Sequence, residues 1–460
     1  MTIIMDLLTA AIAVDGNIAG DNVAFSGVST DSRTLSTGEL FLALRGENFD
    51  GHDFVATAKA RGAAAALVDS AALTQLAGVE LPLLVVADTR LALGALAANW
   101  RARFNLPLVA VTGSNGKTTT KEMIASIFQA AFGDSVLATQ GNFNNDIGLP
   151  LTLLKLNAVH RAAIIEMGMN HPGEIGYLAH LARPTVALVT NAQRAHLAGM
   201  GSLETIAREK GSVFGGLGKN GVAVINLDDP WSDVWREQSS NSRALAFSFV
   251  QPADVCGHYQ ARGLENHLGI SVGDAHIDVS LAVPGAHNAR NALAAATAAI
   301  AAGVTLDAVR DGLLAFRGVK GRLQRRDGRN GAVVLDDSYN ANPDSVRAGI
   351  DVLAATVGRK ILVLGDMGEI GDMSGQFHDE VGGYAKSQGV DRLLALGDSS
   401  ALAARNFGAG GQHFKKIEDL IEALNDELTA DTTVLIKGSR FMRMERVVNA
   451  IAATPTGENK

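Results

Sequence analysis

One cysteine in 460 residues, Cys256, leaves the chain without an intrachain disulfide and fits a reducing compartment. No run reaches the ~18 uninterrupted apolar residues of a membrane span. The opening stretch MTIIMDLLTAAIAVDGN is apolar but lacks a basic flank and is interrupted by Asp6, so it reads as a short helix and not a secretion signal. These features predict a cytoplasmic protein without membrane insertion. Positive charge is also in short supply: 40 Lys and Arg against 48 Asp and Glu give a net charge of −8, which argues against a general nucleic-acid binder. A local positive pocket for a phosphorylated small molecule is still compatible with that balance. There is no internal repeat and no low-complexity tract; only the tail TPTGENK reads as disordered.

What is present is ordinary globular material, 47% hydrophobic and 19% charged, in a length that predicts about three domains. From about Asn22 to Asp88, short strands such as GELFLAL and LPLLVVAD alternate with alanine-rich helices. After Pro107 come continuous apolar strands, LVAVTG, AAIIEMG, TVALVTN and GVAVINLDD, separated by helices. That pattern implies a parallel sheet covered on both faces. HLGISVGDAHIDVSLAVPG alternates like a hairpin around Gly273–Asp274, and HNARNALAAATAAIAAG follows as an Asn-capped helix. From Gly318 a second α/β unit begins, its strands ending in Gly or Asp, where ligands gather at the carboxyl edge.

A phosphate-binding loop normally reads G-x-x-x-x-G-K-[ST], and here the first glycine is missing: Val111 occupies its place. The sequence instead has the tighter G-x-x-G-K-T from Gly113 to Thr118, between an apolar strand and an amphipathic helix. Two glycines let backbone N–H groups turn inward, and the helix N-terminus adds a positive dipole end. Lys117 would reach the terminal phosphates and the Thr118 hydroxyl would ligate Mg²⁺. The shortening removes no chemical group, so the loop predicts ATP binding.

Three further residues fall at the same sheet edge or near it. Glu166 ends AAIIE; one carboxylate with Thr118 and phosphates would suffice for Mg²⁺, though a strand-end Glu can equally be solvated. His196 follows the next strand, where a lone histidine is more often a surface residue. Lys210 falls on the apolar stripe of Leu203, Ile206, Val213, Phe214 and Leu217. A lysine there snorkels or pairs with a carboxylate, or else is a desolvated amine of lowered pKa. Such an amine can take up CO₂ as a carbamate, an extra anionic metal ligand.

With these residues placed, the chain resembles the Mur ligase family, ATP-dependent amide-forming enzymes of peptidoglycan synthesis. TGSNGKTT is that family's form of the loop, and the likeness extends through STDSRTLSTGELFLALRGENFDGHDF, TQGNFNNDIGLPLTLL, LDDSYNANPDS and VLIKGSRFMRMERVV, essentially the whole chain. The resemblance implies three α/β domains: a small uridine-nucleotide domain (1–86), a central parallel-sheet ATPase-like domain (87–316) and a C-terminal Rossmann-like domain (317–460). It implies an ATP site of Gly113, Ser114, Asn115, Gly116, Lys117, Thr118 and Thr119, with Asn288 and Asn291 beside the adenine and Arg322 and Asp337 closing over ribose and phosphates. Thr118 and Glu166 would hold one Mg²⁺, and Glu166, His196 and carbamylated Lys210 a second. Asp31, Ser32 and Arg33 match the uridine-nucleotide site, and Asn144 and Asn145 face the muramoyl-peptide. The implied substrates are UDP-N-acetylmuramoyl-tripeptide and D-alanyl-D-alanine, handled by a monomer.

Other readings make different demands. Folylpolyglutamate synthetases lack a uridine-nucleotide domain ahead of the loop, and over 100 residues precede it here. The diaminopimelate- or lysine-adding ligase carries D-N-P-[RA], which does not occur in this chain. A non-catalytic homologue would lack a metal-site residue, and a small-molecule kinase would release a phosphorylated product.

Overall fold

The computed structural model describes residues 4–195 and 197–453, so His196 and the tail TPTGENK lie outside the described residues. Besides a two-stranded ribbon, Met5–Asp6 with Ala24–Phe25, three larger sheets follow one another along the chain. The first has five strands in the order 17–19, 83–86, 65–69, 40–42, 28–29, parallel except for the first. The central sheet has nine strands, seven parallel ones ending in the antiparallel pair Glu265–Val272 and Ala275–Leu281. The third has six, of which only the edge strand Gln324–Asp327 is antiparallel. The Gly273–Asp274 hairpin forms as its alternation predicts, with Val272 paired to Ala275 and Gly273 at φ 57°.

Placement of the site follows from the middle of the central sheet. Strand Leu108–Thr112 is buried at every position between Ala162–Glu166 and Val186–Val189. Register sets Glu166 opposite Val111 and Val189 opposite Thr112, so all three strands release their chains at one carboxyl edge. The helix Lys117–Phe132 starts directly from that edge and buries Met123, Ile124, Ile127 and Phe128 at helical spacing. It packs so closely on the helix Leu306–Ala315 that a Cβ on Gly312 would lie 2.3 Å from the Ile127 Cα.

Helix Thr89–Arg101 joins the first two sheets, because Leu93, Leu96 and Ala97 lie in one apolar core with Leu40 and Leu67 of the first sheet and Leu108 and Ile165 of the second. In the third unit, N-P-D-S starts the helix Pro343–Ala354: Asn342 accepts the Ser345 N–H at 2.9 Å and Ser345 Oγ accepts the Asn342 N–H at 3.0 Å.

Two sequence expectations need correction. The helix carrying Lys210 does not run on to Leu217; it ends at Gly211, where the Ser212 hydroxyl bonds the Glu209 carbonyl, and a 3₁₀ turn Ser212–Gly216 continues it. The helix Ala286–Ala301 is not Asn-capped, because Gly285 at φ 92° occupies the cap and Asn288, inside the first turn, donates to the Pro284 carbonyl at 2.8 Å.

Candidate active site

Gly113 and Gly116 adopt φ 147° and 79°, conformations that side chains rarely take. The loop is also wedged in place: a Cβ on Gly113 would lie 1.8 Å from Thr190 Oγ1, and one on Gly116 2.3 Å from Asn291 Oδ1. The chain after strand Val186–Val189 braces it. Ser114 N–H donates to the Asn191 carbonyl and Asn115 N–H to Asn191 Oδ1, both at 2.9 Å, while Thr190 Oγ1 donates to the Asn115 carbonyl at 2.7 Å. Lys117 Nζ folds back on the carbonyls of Gly113 and Ser114, at 2.7 and 3.1 Å. Burial lowers its pKa to about 8, Glu166 opposing and Arg322 adding to the shift. Gly116→Ala combines αL strain with a clash against a buried amide, about 1–3 kcal/mol. Nucleotide affinity, read by calorimetry with ADP, is expected to fall roughly ten- to hundredfold; unchanged affinity would show that this loop does not hold the phosphates.

Glu166 ends its strand 2% exposed, its N–H bonded to Thr139 Oγ1 at 2.9 Å. Its Oε1 accepts from Asn144 Nδ2 at 2.8 Å, whereas the buried Oε2 has no hydrogen-bond partner among the described residues. A buried carboxylate oxygen left without a donor is costly and suits a cation. Thr118, also buried, lines the same cavity. The Glu166 carboxylate and the Thr118 hydroxyl are oxygen donors of the kind that Mg²⁺ takes together with phosphates. Lys210 lies on the buried face of its helix, its pKa driven well down first by burial and then by Lys117, with Glu209 opposing.

The third unit roofs this edge. One cavity of about 1070 Å³ is bounded by loop residues Ser114–Thr119, by Glu166, and by Arg322, Asp337 and Lys437 across from them. Lys437 Nζ meets Asp337 Oδ2 at 2.6 Å, and Arg322 stacks over the Tyr339 ring at 4.3 Å. Burial raises the Asp337 pKa against the pull of Lys437 and Arg322. Asn288 and Asn291 border the cavity from the central unit, Asn291 Nδ2 donating to Asn288 Oδ1 at 3.2 Å. Asn144 and Asn145 border it too, but Asn145 Oδ1 is taken up by the Gly148 N–H at 2.8 Å.

Not every expected site residue is gathered there. Gly113 and Lys210 are not among the residues that line the cavity, and Asp31, Ser32 and Arg33 lie apart in the first unit. There Asp31 and the exposed Arg33 form a two-point ion pair that lowers Asp31 to about 2 through the Arg33 hydrogen bonds. Sequence reasoning missed His287, held down to about 4 by burial and the nearby Lys437 and Arg290, and Asp229, raised to about 6 by burial. Both border the cavity. Lys437, itself buried, closes the strand Thr432–Lys437 and borders the cavity as well.

Fold and site together define a phosphate-loop nucleotide-binding protein whose third domain covers the loop. The chain matches the Mur ligase middle domain over 111–299, the Mur ligase, glutamate ligase domain over 321–440, and the Mur ligase family, catalytic domain over 24–101. It is 42% identical over 450 residues to the UDP-N-acetylmuramoyl-tripeptide–D-alanyl-D-alanine ligase of Escherichia coli K12, covering 96% of this chain and 97% of that protein. The crystal structure I of MurF from Acinetobacter baumannii superposes with a TM-score of 0.90 at 33% identity, covering 98% of both chains. MurF from Thermotoga maritima, solved in complex with ADP, gives 0.80 at 27% identity, covering 92% of this chain and 96% of that one. The chain belongs to the Mur ligase family.

Proposed function

We propose that this protein joins D-alanyl-D-alanine to UDP-N-acetylmuramoyl-tripeptide, converting ATP to ADP and phosphate and yielding the UDP-muramoyl-pentapeptide of peptidoglycan synthesis. The observation that carries this reading is one cavity shared by a complete phosphate loop and third-domain charges, in a chain matched almost end to end by ligases of that name.

The tripeptide carboxylate attacks the γ-phosphorus of ATP, the bond to the β-phosphate oxygen breaks, and an acyl phosphate and ADP result. The dipeptide amine then attacks the acyl carbon; the tetrahedral intermediate loses a proton and expels phosphate. Lys117, swung from its own loop carbonyls onto the phosphates, neutralises charge on the transferring group, where most phosphoryl-transfer catalysis resides. Thr118 and Glu166 would hold one Mg²⁺, and Glu166, His196 and carbamylated Lys210 a second. Bound Mg²⁺ supplies further charge neutralisation and orients the phosphates. Asn144 donates to Glu166 Oε1, so that Oε2 would be available to a cation, and in this reading Asn144 and Asn145 face the muramoyl-peptide. Asn288 and Asn291 serve the adenine side and Arg322 and Asp337 the ribose and phosphates. Asp31, Ser32 and Arg33 receive the uridine nucleotide.

In this reading the domains divide near residues 86 and 316, and the third excludes water that would hydrolyse the acyl phosphate. The enzyme works as a cytoplasmic monomer; among the described residues no helix is long and apolar enough to cross a membrane. Mass spectrometry after incubation with Mg-ATP, the UDP-tripeptide and D-alanyl-D-alanine is expected to show the nucleotide heavier by one dipeptide less water. An unchanged nucleotide would overturn the reading.

A further inference from the structure

Arg194 belongs to the central unit, two residues before His196, yet all its ion-pair partners among the described residues lie in the third unit. Its N–H meets Asp344 Oδ2 at 2.9 Å, while Nε and Nη2 meet Oδ1 at 3.0 and 2.7 Å. Nη1 and Nη2 also reach Glu380 at 3.1 and 3.3 Å, and the guanidinium lies over the Phe377 ring at 5.2 Å. Arg347 completes the network by donating to Glu380 at 2.9 Å. With side chains only 22% and 23% exposed, Arg194 and Asp344 are better shielded than an ordinary surface pair. Their mutual hydrogen bonds hold the arginine further toward its charged form.

The place of this network matters more than its strength. Asp344 is in the first turn of helix Pro343–Ala354, whose cap, Asn342, donates Nδ2 to Asn115 Oδ1 of the phosphate loop at 2.8 Å. On the other side, Gln193 accepts Ser114 Oγ at its carbonyl and Asn115 Nδ2 at its side chain, at 3.0 and 2.7 Å. One helix end and one loop are therefore joined both at the phosphate loop and at Arg194. The mechanism proposed above gives Arg194 no part.

We propose that Arg194 is a positioning residue for phosphoryl transfer: by gripping Asp344 and Glu380 it locks the third domain over the phosphate loop, so that Asn342 reaches Asn115 and Arg322 and Asp337 share the nucleotide cavity. The planar fork is essential, since it takes two carboxylates at once. A lysine in its place would hold one.

The inference rests on the ligase reading, and its test uses the full chain with Mg-ATP, UDP-tripeptide and D-alanyl-D-alanine. Arg194→Gln is expected to lower kcat roughly tenfold or more with an unchanged melting temperature, and Arg194→Lys to recover part of the loss. Asp344→Asn should do the same from the other domain, and the double variant should be no worse than the poorer single one. Wild-type kcat and KM in Arg194→Gln, or losses that multiply in the double variant, would overturn the proposal. If Arg194→Gln fails to fold, Asp344→Asn and Glu380→Gln read the same interface. A wild-type protein that forms no amide would remove the ligase reading alone. Small-angle scattering then decides: ADP-bound Arg194→Gln more extended than the ADP-bound wild type supports the lock, and equal dimensions refute it.

Discussion

Lys117→Ala is expected to reduce kcat by roughly a thousandfold or more, on the scale of deleting a preorganised transition-state donor. The ammonium is half-buried at the start of its helix, and desolvation lowers its pKa to about 8. Its only hydrogen bonds in the described structure are to two carbonyls of its own loop, an arrangement that releases readily when phosphate oxygens arrive. Removing it sheds a half-buried charge along with those bonds, so the fold should persist. Equal thermal unfolding of variant and wild type would confirm that the lost activity is chemical. A Lys117→Ala variant with substantial turnover would sink the assignment of the ATP site.

Lys210→Ala should be nearly inactive, by a factor of the order of 10²–10³, and partly restored by a small carboxylic acid such as acetate. Burial and Lys117 both disfavour the ammonium of Lys210, which makes the neutral amine accessible. It stands on the buried face of its helix, where an ammonium is poorly solvated. A neutral amine can attack CO₂, releasing a proton and leaving a carbamate anion. That anion would reverse the local charge beside Lys117 and offer a cation an oxygen ligand. Acetate would occupy the same space in the alanine variant with the same sign of charge. Failure of every short acid to restore activity, or an unmodified lysine in a fully active bicarbonate-equilibrated enzyme, would contradict the carbamate.

The elements that were legible are those in which local pattern and tertiary burial agree. Strand Leu108–Thr112 is a nearly continuous apolar run, helix Lys117–Phe132 buries Met123, Ile124, Ile127 and Phe128 at helical spacing, and the glycine turn between them needs its positive φ values. Lys210 was conspicuous because a charge interrupts an apolar stripe. Short edge strands such as Gly411–Phe414, with one buried residue, carry no such period. The Asn288 side chain suggested a cap because asparagine favours that position, but Gly285 turns the chain earlier. Arg194 was illegible for a different reason. Its partner Asp344 lies 150 residues away in another domain, and docking between rigid units leaves no periodic trace in either sequence.

The central claim is tested most directly by phosphate release from Mg-ATP and UDP-N-acetylmuramoyl-tripeptide, measured with bicarbonate present, with and without D-alanyl-D-alanine. The account predicts release that depends on the dipeptide and matches, mole for mole, the formation of UDP-muramoyl-pentapeptide. Release indifferent to the dipeptide, or none in its presence, would contradict it.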